Sequence, residues 1–132
     1  MSLGEIPRRA RSRLDSFRHA FAGGWHVLRT QRNAWIHGLI TVAVVLAGLW
    51  VRLSAMEWAV IAVTTGLVWL AEFINTALEA AVDLASPALH PLARVAKDVS
   101  AAAVLISALI AVVVGILILG PPLWKLLFGS HP

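Results

Sequence analysis

The chain has 132 residues, of which 59% are hydrophobic and 14% charged, a balance too apolar for an ordinary water-soluble domain and characteristic of a membrane protein. The formal net charge is +4, and its basic excess sits beside an apolar span, where it sets topology or meets anionic head groups or ATP; nucleic acid is thereby disfavoured as a partner. Cysteine is absent, which excludes disulfide frameworks and cysteine metal sites.

Residues 1 to 11 are polar, and a frayed segment is expected there. The basic N-terminus lacks an apolar run followed by a small-residue cleavage site, so no cleavable signal peptide is expected. From about residue 12 to residue 32, Leu14, Phe17, Phe21, Trp25 and Leu28 recur at helical steps and share one face. Arg13, Arg18, His19, Arg29 and Arg32 occupy the other faces. The pattern predicts an amphipathic helix lying in the interface plane with its aromatic side in lipid. The plainer alternative is a soluble amphipathic helix packed on a partner. Gly23-Gly24 offers a point of bending.

The first span is predicted from about Ala34 to Val51 and carries no charge. About eighteen residues at 1.5 Å each cover the hydrocarbon core. Arg52 ends it. "SAME", Ser54 to Glu57, fits a Ser-x-x-Glu capping box at the next helix start. The second span is predicted from about Met56 to Leu84. "SPALHPLA" follows, with Pro87 and Pro91 expected to stop the helix. The third span is predicted from about Ala93 to Leu119, ended by Gly120-Pro121-Pro122. No strand or internal repeat is expected. The fold class is an all-α membrane protein, with three transmembrane helices and an N-terminal amphipathic surface helix in a single domain over residues 1–132.

Orientation follows from the distribution of Arg and Lys. Arg8, Arg9, Arg11, Arg13, Arg18, Arg29 and Arg32 precede span one, and Arg94 and Lys97 lie between spans two and three. Arg52 and Lys125 fall on the other side. The N-terminus and the second loop are therefore expected to be cytoplasmic. Trp35 would sit at the inner boundary, with Trp50, Trp58 and Trp124 near the outer one, where an apolar ring with one N–H to hydrate is at home.

"AEFINTALEAAVDL", residues 71 to 84, is the anomaly. With Glu72 at zero on a helix turning about 100° per residue, Asn75 falls near −60°, Glu79 near −20° and Asp83 near +20°. All four share one stripe. Glu72 lies roughly 18 Å above the cytoplasmic end of its span by helix rise. A charge at the centre of a span costs about 2.5–3.5 kcal/mol to insert, so such a residue should face a bundle interior and mark a site. Glu79 and Asp83 alone fit hydrated helix-end charges, and Asn75 fits a helix–helix hydrogen bond. Glu72 resists both accounts because it lies deepest.

"RVAKDVSAAAV", residues 94 to 104, supplies the opposite charge. Lys97 and Asp98 open span three on the same side and can approach the acidic stripe, while Ala101, Ala102 and Ala103 let helices come close. Snorkelling is the plain account of Lys97. Carboxylates at a membrane boundary beside a basic residue can hold Mg²⁺, and Mg²⁺ with a lysine can neutralise ATP phosphates. A further carboxylate in a poorly hydrated place can serve as a base. These parts fit phosphoryl transfer from ATP to a lipid alcohol without demanding it, since a proton relay also uses buried carboxylates. No G-x-x-x-x-G-K-[ST] loop or kinase glycine-rich loop is present.

The motifs "EFINTALEAAVDL" (72 to 84) and "AKDVSAAAVL" (96 to 105), with His90 ahead of the second, resemble the membrane-embedded bacterial diacylglycerol kinase and undecaprenol kinase family. "FRHAFAGG" and "RNAWIH" carry it more weakly, the latter leaning toward the undecaprenol branch. The resemblance covers about residues 14 to 119. It implies a homotrimer in the bacterial inner membrane, with active sites shared between protomers, using ATP, a divalent cation (normally Mg²⁺) and a lipid alcohol. It implies Glu72 as general base, Asn75 as support and Glu79 as a metal ligand. Lys97 would contact the ATP phosphates, Asp98 would hold the nucleotide, and Asp83 would lie near it.

One position departs from the family. A second metal-binding Glu is expected two residues before the Asn of "E-R-N"; here the stretch reads "TQRN", with Gln31 in that place. A glutamine carbonyl can ligate Mg²⁺ but brings no charge. A working lipid kinase with weaker metal binding is the leading expectation, ahead of a rearranged site or an inactive relative. Three others compete: a catalytically impaired trimer that binds nucleotide or lipid, a proton- or ion-handling bundle, and a purely structural membrane protein. The bundle suffers because residues 59 to 71 offer only Thr64 and Thr65 to continue a polar path.

Overall fold

The structure, a computed structural model, describes residues 13–86 and 90–129. The segment expected to fray, Arg8, Arg9, Arg11, the helix start at residue 12, the Leu14 side chain and Pro87 lie outside the described residues. The chain forms α1 (Arg13–Thr30), α2 (Arg32–Val51), α3 (Ala55–Ala85) and α4 (Pro91–Phe128), with no strand among the described residues. The last three are long and apolar enough to cross a membrane. At about 1.5 Å per residue, α2 matches the hydrocarbon thickness, while α3 and α4 project beyond it.

α1 runs unbroken through Gly23-Gly24. Phe17, Phe21 and Trp25 are exposed on it and line a shallow hollow with Trp69 and Phe73 of α3, and the Arg29 guanidinium lies 5.5 Å from the Trp25 ring centre. A single extended residue, Gln31 (φ −100°, ψ 116°), separates α1 from α2. The predicted boundary at residues 32 to 34 therefore shifts slightly: Arg32 already belongs to α2.

Arg52 ends α2 in the left-handed conformation (φ 58°, ψ 56°). There its N–H donates to the Leu49 carbonyl and that of Leu53 to the Gly48 carbonyl, satisfying groups a helix end leaves free. Gly48 is needed here for a close approach: a Cβ would lie 2.8 Å from the Trp58 ring. The expected capping box starts α3, with the Ser54 N–H donating to Glu57 Oε2 at 2.7 Å and the Glu57 N–H donating to Ser54 Oγ at 3.4 Å.

Two proline expectations are corrected. Pro91 does not stop a helix; it is the first residue of α4, where its missing N–H costs nothing, and His90 Nδ1 accepts the Leu92 N–H at 3.2 Å as the cap. Nor does Gly120-Pro121-Pro122 end the third span. α4 continues through both prolines to Phe128. Interior proline removes a hydrogen bond and costs about 3 kcal/mol, but the apolar turn beyond it keeps helical pairing, with the Trp124 and Phe128 rings in tilted contact at 4.7 Å between centroids.

α3 and α4 form the principal helix pair, and α2 lies against both. Large apolar side chains such as Leu39, Leu49, Leu105 and Leu117 stand on the outside, a pattern suited to lipid or neighbouring helices rather than water. Burial is inverted relative to a soluble protein. Glu72, Asn75, Thr76 and Ser100 are buried beside Ile61, Val68 and Val104.

Candidate functional site

The four polar residues of α3 do form one ladder facing its neighbours. Glu72 is 1% exposed and Asn75 is buried, Glu79 is half-buried and Asp83 is exposed. The ladder therefore grades from buried to exposed along the helix.

Ser100 on α4 meets the ladder at its middle. Its hydroxyl donates to Asn75 Oδ1 at 2.6 Å and lies 2.9 Å from the Lys97 carbonyl of its own helix. Asn75 Nδ2 in turn donates to Glu79 Oε1 at 3.2 Å. One turn earlier on α4, Lys97 Nζ pairs with Asp83 Oδ1 at 2.5 Å. The expected approach of Lys97 to the stripe is thus seen at Asp83. Asp98 turns elsewhere: it is exposed and pairs with Arg94 at 3.8 Å. Adjacent helical positions point about 100° apart, so Lys97 and Asp98 cannot both face α3.

Glu72 has no such partner. Both of its carboxylate oxygens are buried without a hydrogen bond. The nearest ionisable group recorded for it is His37 on α2, whose Nε2 lies 4.0 Å from Glu72 Oε2. His37 Nε2 is likewise buried and unpaired. Two unsatisfied buried polar groups facing each other are costly and mark a place that something else completes.

Two hollows meet at His37, while Glu72 lies behind it and lines neither. One is polar, about 290 Å³, and takes in Gln31, Asn33, His37, Asn75 and Glu79. The other is an apolar groove of about 560 Å³. It runs along α4 from Ala108 to Leu123 and ends at His37 and Trp69. Ile36, His37 and Ala108 line both. A lipid with an apolar tail and one hydroxyl has the same division of character.

Gln31 makes no side-chain capping bond on α2 and lines the polar hollow together with Glu79. These hard oxygen donors fit Mg²⁺, which commonly binds through one or two carboxylates plus substrate phosphates rather than a complete protein cage. No cluster of three or more His, Asp or Glu that could hold a metal occurs among the described residues.

Sequence reasoning missed His37, Ser100 and Trp69. An imidazole one turn inside an uncharged span was a legible signal for the first. Ser100 hid in a run of alanines. Trp69 packs 6.4 Å from His37 and 5.9 Å from Phe73 between ring centres, and its Nε1–H donates to Thr41 at 3.2 Å. It walls the inner end of the groove. Thr64 and Thr65 line that groove.

The family model described as prokaryotic diacylglycerol kinase matches residues 18–119. The chain is 47% identical over 115 residues to a diacylglycerol kinase of Synechocystis sp., covering 86% of this chain and 66% of that protein. It thus spans just under two thirds of that relative's length. It is 43% identical over 108 residues to an undecaprenol kinase of Bacillus subtilis, covering 82% of this chain and 88% of the other. To a diacylglycerol kinase of Escherichia coli strain K12 it is 32% identical over 107 residues, covering 76% and 80%. No solved structure matches.

Proposed function

The chain belongs to the prokaryotic diacylglycerol kinase family and is a membrane-bound lipid kinase, and we propose that it transfers the γ-phosphate of ATP to the hydroxyl of undecaprenol or diacylglycerol at the cytoplasmic boundary of the bacterial inner membrane. The observation that carries this reading is Glu72: a carboxylate with both oxygens buried and unpartnered, 4.0 Å from His37, a side chain that lines both a polar hollow and an apolar groove.

Glu72 is the base that accepts the proton of the lipid hydroxyl, a role worth about 10²–10⁴-fold in rate. The groove takes the apolar tail and brings the hydroxyl to Glu72. Lys97 leaves Asp83 for the phosphates of ATP. Their pair is partly exposed, and such pairs contribute only about 0–1 kcal/mol, so the exchange is cheap. Asn75, fixed by Ser100, holds Glu79 in place. Asp98 stands exposed where a nucleotide can reach it. Glu79 and Gln31 would hold Mg²⁺, which when bound offsets the negative charge of the phosphates.

The many large apolar side chains on the outside of α2, α3 and α4 leave room for a homotrimer whose protomers complete one another's sites. The Arg-rich N-terminus faces the cytoplasm by the distribution of basic residues.

The test is purified protein in lipid vesicles with radiolabelled ATP, offered undecaprenol or diacylglycerol over a range of Mg²⁺. A labelled lipid phosphate is the expected product. No labelled lipid with either acceptor at any Mg²⁺ concentration would overturn the reading.

A further inference from the structure

A base must be reset after every turnover, and Glu72 is poorly placed to reset itself. It is 1% exposed, and neither oxygen has a hydrogen-bond partner. A proton taken from a lipid hydroxyl would arrive on an atom cut off from water. Along α3, the nearest acidic neighbour, Glu79, is two turns away and is held by Asn75.

His37 is the side chain that faces Glu72 from α2, with Nε2 4.0 Å from Oε2. Its side chain retains 13% exposure and lines the polar hollow. Gln31 before α2 and Asn33 on it, which share that hollow, do not titrate. α4 presents Ala101, Val104, Leu105 and Ala108 to it, and Lys97 is engaged with Asp83. The imidazole therefore stands between a buried carboxylate and a hollow lined in part by polar side chains. It is the side chain best able to accept a proton on one side and release it on the other.

We infer that His37 is a proton relay, carrying the proton from Glu72 to the polar hollow after each phosphoryl transfer. This rests on the reading of Glu72 as the base. The lipid O–H bond breaks and its proton goes to a Glu72 oxygen. The lipid oxygen bonds to the γ-phosphorus as the bond from that phosphorus to the β,γ-bridging oxygen breaks, its electron pair leaving with ADP. The Glu72 proton then passes to His37 Nε2, restoring the carboxylate and forming an imidazolium, which loses a proton to water in the hollow. A small side-chain rotation closes the 4.0 Å gap.

The relay predicts a distinctive kinetic signature. His37→Gln keeps a polar group of similar reach but cannot carry the proton. Rapid-mixing assays with radiolabelled ATP should show a burst of about one lipid phosphate per site at the wild-type rate, followed by a steady rate lower by at least about tenfold. kcat/KM for ATP and for lipid should stay within about twofold, with KM falling alongside kcat, since the slowed reset follows binding and transfer. His37→Ala should be slow in the steady state and should recover with added imidazole. The relay is overturned if His37→Gln matches wild type in the steady state, if its first turnover slows as much as the later ones, or if imidazole leaves His37→Ala unchanged. Wild-type protein is run alongside: no lipid product from it overturns the kinase reading and the relay together, whereas product from wild type and an unaltered His37→Gln overturns the relay alone.

Discussion

Ser100 on α4 donates a 2.6 Å hydrogen bond to the Oδ1 of Asn75 on α3, a buried side-chain link between the two longest helices. The helices run antiparallel, so contact passes from Asn75–Ser100 to Asp83–Lys97 as α3 advances and α4 retreats along the sequence. The bond also orients Asn75. With Oδ1 occupied by a donor, Nδ2 faces Glu79. One hydroxyl thus sets both the register of a helix pair and the direction of an amide in the site.

Ser100→Ala tests that link. It leaves Asn75 Oδ1 buried without its donor, at a cost of about 1–3 kcal/mol. The expected result is a lower melting temperature in detergent together with reduced lipid phosphorylation, since Asn75 is freed to turn away from Glu79. Unchanged melting and activity would show that the bond contributes nothing to either.

Glu72→Gln removes the base and keeps its volume. Lipid phosphorylation should fall by about 10²-fold or more, while helix content by circular dichroism stays at the wild-type level. The fold should tolerate the change, because Glu72 makes no side-chain hydrogen bond to lose. Retained turnover would remove Glu72 from the chemistry.

Gln31→Glu restores a charged oxygen donor beside Glu79 in the polar hollow. The Mg²⁺ concentration giving half-maximal turnover should fall severalfold, because an anionic carboxylate outbids a neutral carbonyl for a hard cation. Removal of Mg²⁺ with a chelator should abolish turnover in both proteins. An unaltered Mg²⁺ requirement in the variant would show that Gln31 is not a ligand.

Lys97→Met deletes the ammonium but keeps the apolar stem. The Lys97–Asp83 pair is partly exposed, so stability should change by less than about 1 kcal/mol. KM for ATP should rise and kcat should fall, as expected for a group that meets the phosphates both in binding and in transfer. A variant that loses stability but keeps its ATP kinetics would make the lysine purely structural.

The segments of the fold were legible because their signals are local. Span boundaries near Val51 and Leu84, the Ser54–Glu57 capping box and the helix of α1 all follow from neighbours a few residues apart. The alignment of Glu72, Asn75, Glu79 and Asp83 followed from helical repeat alone. The prolines misled because a local rule was applied without its position. Pro91 falls at a helix start, where proline is welcome. Pro121 and Pro122 fall in a helix whose far side is still apolar enough to hold together.

By itself, then, the chain's residue order determined how many helices there are, which faces of them are oily and where acid groups stack on α3, because each property depends on spacing within one helix. Only the tertiary structure decided that Ser100 rather than Asp98 meets Asn75, that His37 stands against Glu72, and that a polar hollow and an apolar groove share His37 as a wall. Those outcomes depend on the rotation and axial offset of one helix against another. Both are set by how side chains from several helices pack together, and no periodicity within a single helix encodes them.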